Sequence, residues 1–167
     1  MRHARCLILP HAVWAACLAL LTLLSSACMR KDMPLEELFA HRNLIAPRPE
    51  AFRVCRNFGC REQADVRLSP EEWEQLAALF APTATSAIGE RHQVSRAVAL
   101  LETLIGPKAG TENDTARNRC CSKPGAQLDC IAEATNTTIY LLLLQNQGLL
   151  HWHVVLHPQY RGFSSGS

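Results

Sequence analysis

No acidic residue follows Gly148 in this chain of 167 residues. Any catalytic scheme that needs a carboxylate beyond that glycine is incomplete within the sequence. No internal repeat is visible, which sets solenoids and propellers aside. Lys and Arg form no clustered basic surface, so the electrostatic footprint of a nucleic-acid binder is missing. The chain has 17 basic and 15 acidic residues; Arg2 and Arg5 are two of the basic ones, so the part beyond residue 27 is neutral. Metal spacing is also poor. Cys55 and Cys60 have the Cys-x4-Cys form, but no second Cys or His pair of suitable spacing stands nearby, and no metal or other cofactor is expected.

The apolar run at residues 12–24, broken only by Thr22, is short for a bilayer-spanning helix. With Arg2 and Arg5 ahead of it and small residues after it, it reads as an export signal. Leu24-Ser25-Ser26-Ala27-Cys28 has the small residues before a cysteine that a bacterial lipoprotein signal presents. There the Cys28 thiol accepts a diacylglyceryl group and becomes the new N-terminus. Leu24 stands four residues ahead of Cys28 rather than three, and the competing reading is a plain secretory peptide cut after Ala27. Met29 in place of Asp directs the anchor to the outer membrane, facing the periplasm. The expected organisation is a signal peptide at 1–27, a tether at 28–50 punctuated by Pro34, Pro47 and Pro49 with a short helix over 35–43, and one globular domain at 51–167. Expected partners are the membrane, through the lipid, and an envelope protein or peptidoglycan; nucleic acid is not among them.

Export places the remaining cysteines in an oxidising compartment. Cys55 and Cys60, in CRNFGC, enclose a small loop and are expected to pair. Cys120 and Cys121 are adjacent, and adjacent cysteines rarely bridge to each other; one of them could bridge to Cys130. A first helix is signalled by Ser69-Pro70-Glu71-Glu72, where serine caps, proline takes the first helical position and a glutamate closes a capping box. Trp73, Leu76, Ala77 and Phe80 supply its apolar stripe. A second helix is expected over 86–105, with Val94, Val98, Leu101 and Ile105 on one side and Gly106-Pro107 ending it. Glu90, Arg91 and His92, early in that helix, are read as a solvated face with local ion pairing. Residues 108–126 read as a long loop, in which Gly110, Thr111 and Asp114 form a turn beside the next helix.

That next helix, about 129–147, organises the rest. Asp129 stands at its N-cap. Cys130 occupies the first turn, where the positive end of the helix dipole favours thiolate, the nucleophilic form. Ile131, Ala134, Thr138, Leu141, Leu142 and Gln145 lie along one stripe, and Tyr140, Leu143 and Leu144 make the C-terminal half apolar nearly all round. Such a helix is buried. Glu133 is placed to orient the preceding loop or to pair with Arg117 or Arg119, and Asn136 to hydrogen-bond loop backbone. The sequons at Asn113 and Asn136 are not read as glycan sites. Gly148 closes the helix and a strand-like run follows. In a strand His151, His153 and His157 share one face while Trp152, Val154 and Leu156 share the other. The apolar face is expected on the core, turning the histidines to solvent. His157 is the one placed to reach the height of Cys130 as a base, although its parity opposes contact.

The runs Gly110-Thr111-x-x-Asp114, Gln127-x-Asp129-Cys130-Ile131-x-Glu133-Ala134-Thr135-Asn136-Thr137-Thr138-x-Tyr140-Leu141 and Gly148-Leu149-Leu150-x-x-His153-x-Val155 resemble a group of bacterial envelope proteins with a transglutaminase-like, papain-like cysteine core. Residues 55–73 and 90–102 fit the same group. The resemblance implies Cys130 as nucleophile toward an amide or peptide bond, with a histidine and an acidic residue on later strands. The present chain departs from that pattern at its C-terminal end, where the acidic partner is missing and the core reads as cut short. The expected fold is α+β and mainly helical, with the central helix followed by a short C-terminal strand. The expected function is that of a cell-envelope lipoprotein with an incomplete triad, or of a non-catalytic lipoprotein that binds a protein or cell-wall partner.

Overall fold

Ser69 caps a helix because its hydroxyl accepts the Glu72 N–H while the Glu72 carboxylate accepts the Ser69 N–H at 2.7 Å, with Pro70 at the first helical position. Local signals of this kind set most of the elements. A computed structural model of the chain describes residues 35–114 and 127–158. In order they form α1 (Leu35–Arg42), β1 (Phe52–Cys55), a 3-10 turn (Phe58–Cys60), β2 (Gln63–Val66), α2 (Pro70–Ala78), α3 (Ala87–Ala109) and α4 (Cys130–Asn146). The fold is thus mixed α+β and mainly helical. Among the described residues no helix is long and apolar enough to cross a membrane. Cys28, Arg117, Arg119, Cys120, Cys121 and the expected signal peptide lie outside the described residues.

β1 and β2 pair antiparallel, with Phe52 opposite Val66 and Cys55 opposite Gln63. Phe52, Val54 and Val66 are buried and meet Leu76 of α2, Ala97, Leu101 and Ile105 of α3, and Ile139, Tyr140, Leu143 and Leu144 of α4 in one core. α3 and α4 run antiparallel. Glu90, near the start of α3, bonds residues just past the end of α4, while Asp114, just past the end of α3, accepts the Leu128 N–H ahead of α4. Lys108 of α3 pairs with the capping-box carboxylate of Glu72, joining α2 to α3.

Four expectations are corrected. The sheet lies at residues 52–66, and the expected strand after Gly148 is absent: residues 149–158 carry no regular structure. The alternating pattern was there, but a strand needs a neighbour to bond, and none of the described residues offers one. The short helix expected within the tether is formed as α1, but the residues after it are not a free tether, since Leu44 joins the core and Pro47 is fully buried. α3 passes through Gly106-Pro107 to Ala109 and ends at Gly110, whose φ of +74° is the left-handed cap. Proline in the last turn costs one donor and crowds one carbonyl with little helix left to disturb, and glycine before it has no Cβ to clash. Finally, the centre of the buried face of α4 is Ala132, Thr135, Asn136, Ile139 and Leu143, with Ile131, Ala134, Leu141 and Gln145 only half-buried. Polar residues can occupy that face because their bonds are met internally: Thr135 and Thr138 donate to the carbonyls of Ile131 and Ala134 at 2.7 and 2.8 Å.

Candidate functional site

The two ends of α4 hold the candidate chemistry. At its start, Asp129 caps the helix: Oδ1 accepts the Ala132 N–H at 2.9 Å and also the Gly59 N–H at 3.0 Å, so one carboxylate binds the helix to the loop between β1 and β2. Two turns on, Asn136 accepts the Cys55 N–H at 2.7 Å and donates to the Cys55 carbonyl at 3.0 Å. A side-chain amide thus pairs with the end of β1 as a neighbouring strand would. Cys55 and Cys60 form a disulfide with a Cα–Cα distance of 4.7 Å, buried against Leu128 and Ala132. Asp114, through Leu128, fixes the chain as it enters the helix. Four of the expected support residues and cysteines, Asp129, Asn136, Cys55 and Cys60, therefore meet in one place, and they hold the helix start still.

Cys130 stands exposed beside them as a free thiol. No hydrogen bond joins it to an imidazole or a carboxylate among the described residues. Glu133, one turn on, is also exposed. His157 is elsewhere: its Nδ1 lies 2.9 Å from the carbonyl oxygen of Pro158, and Nε2 has no partner among the described residues. Pro158 lines a groove together with Thr138, eight residues or about 12 Å of helix from Cys130. The structure does not bring Cys130 and His157 together.

The far end of α4, about 25 Å away along its 17 residues, holds a group that the sequence did not single out. Glu90 is only 1% exposed, which corrects the reading of Glu90, Arg91 and His92 as a solvated face. Its carboxylate accepts the N–H groups of His151 at 2.6 Å and Trp152 at 3.0 Å, and His153 Nδ1 lies 2.7 Å from Oε1. Burial alone would raise this carboxyl, but the His151 N–H, the His153 imidazole and the Trp152 N–H outweigh it and hold the group below the ordinary carboxylate range. An ionised carboxylate only accepts, so His153 Nδ1 is the donor. Arg91 Nη1, which only donates, lies 3.4 Å from His153 Nε2. The two contacts turn Nδ1 toward the Glu90 carboxylate and Nε2 toward the Arg91 guanidinium.

This arrangement reverses the expected parity of the C-terminal segment. Val155 faces inward and His153 turns to Glu90, while Trp152, Val154 and Leu156 are 54%, 71% and 73% exposed. The buried carboxylate is the reason: it needs donors, and only the odd-numbered face brings an imidazole. The spacing of α3 could have shown it, because stepping back by fours from Ile105 gives Leu101, Ala97 and Gln93, all buried, with Glu90 three residues before Gln93. Arg91 and His153 sit at a half-open apolar groove of about 490 Å³ between α3, α4 and residues 150–158. No thiol or hydroxyl is hydrogen-bonded to His153 among the described residues; Thr138 in the groove already donates to Ala134. The imidazole is oriented as a base would be, but nothing stands next to it to be activated. No group of three or more Cys, His, Asp or Glu side chains suited to a metal ion occurs among the described residues. Comparison with protein-family models, with curated proteins and with solved structures finds no match to this chain.

Proposed function

We propose that the protein is a non-catalytic cell-envelope lipoprotein, anchored through Cys28 and acting by binding a protein or cell-wall partner. The observation that carries this reading is the separation of the catalytic parts. Among the described residues the exposed thiol of Cys130 has no base bonded to it, and the only imidazole held by a carboxylate, His153, lies one helix length away. The cysteine framework supports it further, since Cys55 and Cys60 are bridged and buried, as suits an oxidising compartment. The anchor rests on the basic lead, the apolar run and the small residues before Cys28.

The test is labelling of Cys130 by a peptide-like electrophile that mimics an amide substrate, in the wild-type chain and in His157→Ala. Equal labelling in both is expected, because no base assists the thiol. Labelling that collapses with His157→Ala would restore the cysteine-nucleophile reading of the transglutaminase-like resemblance. Membrane fractionation of Cys28→Ser tests the anchor separately: the variant is expected in the soluble fraction.

A further inference from the structure

Two arginines and a histidine from separate parts of the sequence line one cavity beside the disulfide loop. Arg42 Nη1 donates to the Gly59 carbonyl at 2.9 Å, which seats the end of α1 on the loop between β1 and β2. At this junction lies a half-open cavity of about 430 Å³, lined by His41, Arg42 and Arg61 and by no acidic residue. The nearby carboxylates are engaged elsewhere: Asp129 Oδ1 receives the Gly59 and Ala132 N–H groups, and Glu62 faces Asn57 and Arg56. Neither Arg42 nor Arg61 pairs with a carboxylate among the described residues, and a guanidinium is always charged. The Nε of Arg42 is buried and meets no acceptor there, a rare condition in a folded protein and one that calls for a partner.

The cavity is also built stiffly. Cys60 is bridged to Cys55, Gly59 is held through both its N–H and its carbonyl, and the Arg42 carbonyl accepts the Gln63 side-chain amide. Asn43 and Cys60, with φ of +50° and +57°, are the only non-glycine residues in the left-handed region among those described, and both line the cavity. Backbone held in that region collects at binding sites, where the surrounding structure over-determines it. The loop and Arg42 are thus placed in advance, and little freedom is lost when an anion arrives.

We propose that this cavity binds a terminal phosphate group. Charge and oxygen count favour phosphate over a carboxylate. A phosphate monoester brings close to two negative charges and three acceptor oxygens, which match two guanidinium groups from different segments of the chain. With Nη1 committed to Gly59, Arg42 offers its Nε and Nη2 edge, the fork that takes two oxygens of one anion. Arg61 takes the third oxygen, and His41 and Asn43 add donors at the rim. The site stands on these residues alone, whether or not the chain is anchored through Cys28.

Nitrogen–proton correlation spectra of the full-length chain, titrated at constant ionic strength, test it. Inorganic phosphate is expected to shift the amides of Asn43, Gly59, Cys60 and Arg61 saturably, and acetate is not. Arg42→Gln and Arg61→Gln are each expected to weaken phosphate binding about tenfold or more, while Arg61→Lys, which keeps the charge, stays within about threefold of the wild type. Arg61 is exposed, so its variants keep the wild-type spectrum elsewhere even if Arg42→Gln loosens the loop. Glycerol 3-phosphate binding like inorganic phosphate assigns the site to soluble phosphate monoesters. Tighter binding of dihexanoyl phosphatidic acid assigns it to a lipid-borne terminal phosphate, and both results sustain the proposal. Shifts that never saturate, that spread over the whole surface, or that persist unchanged in both glutamine variants overturn it. So does acetate binding as tightly as phosphate, which would give the cavity to a carboxylate.

Discussion

The start and the end of α4 solve the same problem in opposite surroundings. At the start, Asn136 and Asp129 take up main-chain groups of Cys55 and Gly59, and the Cys55 end of this arrangement is buried with the disulfide. At the end, Glu90 takes up the main chain of His151 and Trp152, but those residues are themselves exposed. Water can replace a lost bond at the second place and cannot at the first. A side-chain oxygen that receives backbone N–H groups is therefore a clamp where the residues it holds are buried and a bracket where they are exposed. The bracket holds its segment in position, with the Trp152 indole N–H donating to the Ala84 carbonyl at 3.0 Å, while Val154 and Leu156 stay exposed.

Substitutions at the two ends put numbers on that contrast. Asn136→Ala leaves a buried donor and a buried acceptor of Cys55 unmet and is expected to cost about 3 kcal/mol, measured as a shift in the urea midpoint. Replacing Cys55 and Cys60 together by Ala is expected to cost roughly 2.5 kcal/mol through the freed loop; an unchanged melting temperature would show that the turn holds without the bridge. Glu90→Ala is expected to cost about 2 kcal/mol, because the N–H groups it abandons belong to exposed residues that water can reach. If it cost more than Asn136→Ala, accessibility would not be what separates the two ends. Asp129→Ala, losing one cap and the Gly59 contact, is expected to cost about 1 kcal/mol.

Acid should act on the bracket before the clamp. The Glu90 carboxyl is held below its ordinary value of 4.5 in the folded chain, with His151, His153 and Arg91 as its titratable and charged neighbours. A lowered carboxyl contributes stability that is fully present above the unfolded value and is lost as pH falls through the folded one. Stability should therefore decline below about pH 4.5, and Glu90→Gln should flatten that decline in a series of urea titrations. Glu71 and Glu72, also held low by Ser69 and Lys108 respectively, contribute to the part that remains. Asn136 does not titrate and should leave the slope unaltered.

Legibility followed the range of the interaction. The Ser69 capping box, the Asp129 cap and the Cys55–Cys60 bridge are each made within a few residues, and each was readable from the sequence. The role of Glu90 was not, because its partners lie 61 to 63 residues away and a glutamate beside Arg91 and His92 has the composition of a solvated face. The strand after Gly148 was misread for a related reason. Alternation is a property of the segment, whereas a strand is a property of two segments.

By itself the sequence determined where the helices begin, which small loop is bridged, and that Cys130 opens the central helix. Those outcomes depend on side chains meeting their own neighbouring backbone. The tertiary structure alone decided that Asn136 would stand in for a strand, and that Glu90 would turn the histidine face inward and the apolar face out. It also separated Cys130 from the oriented imidazole by the length of α4. The physical reason is the cost of burying an unmet polar group. Which groups become buried depends on how α3 and α4 pack, and once they pack antiparallel the remaining partners have little choice.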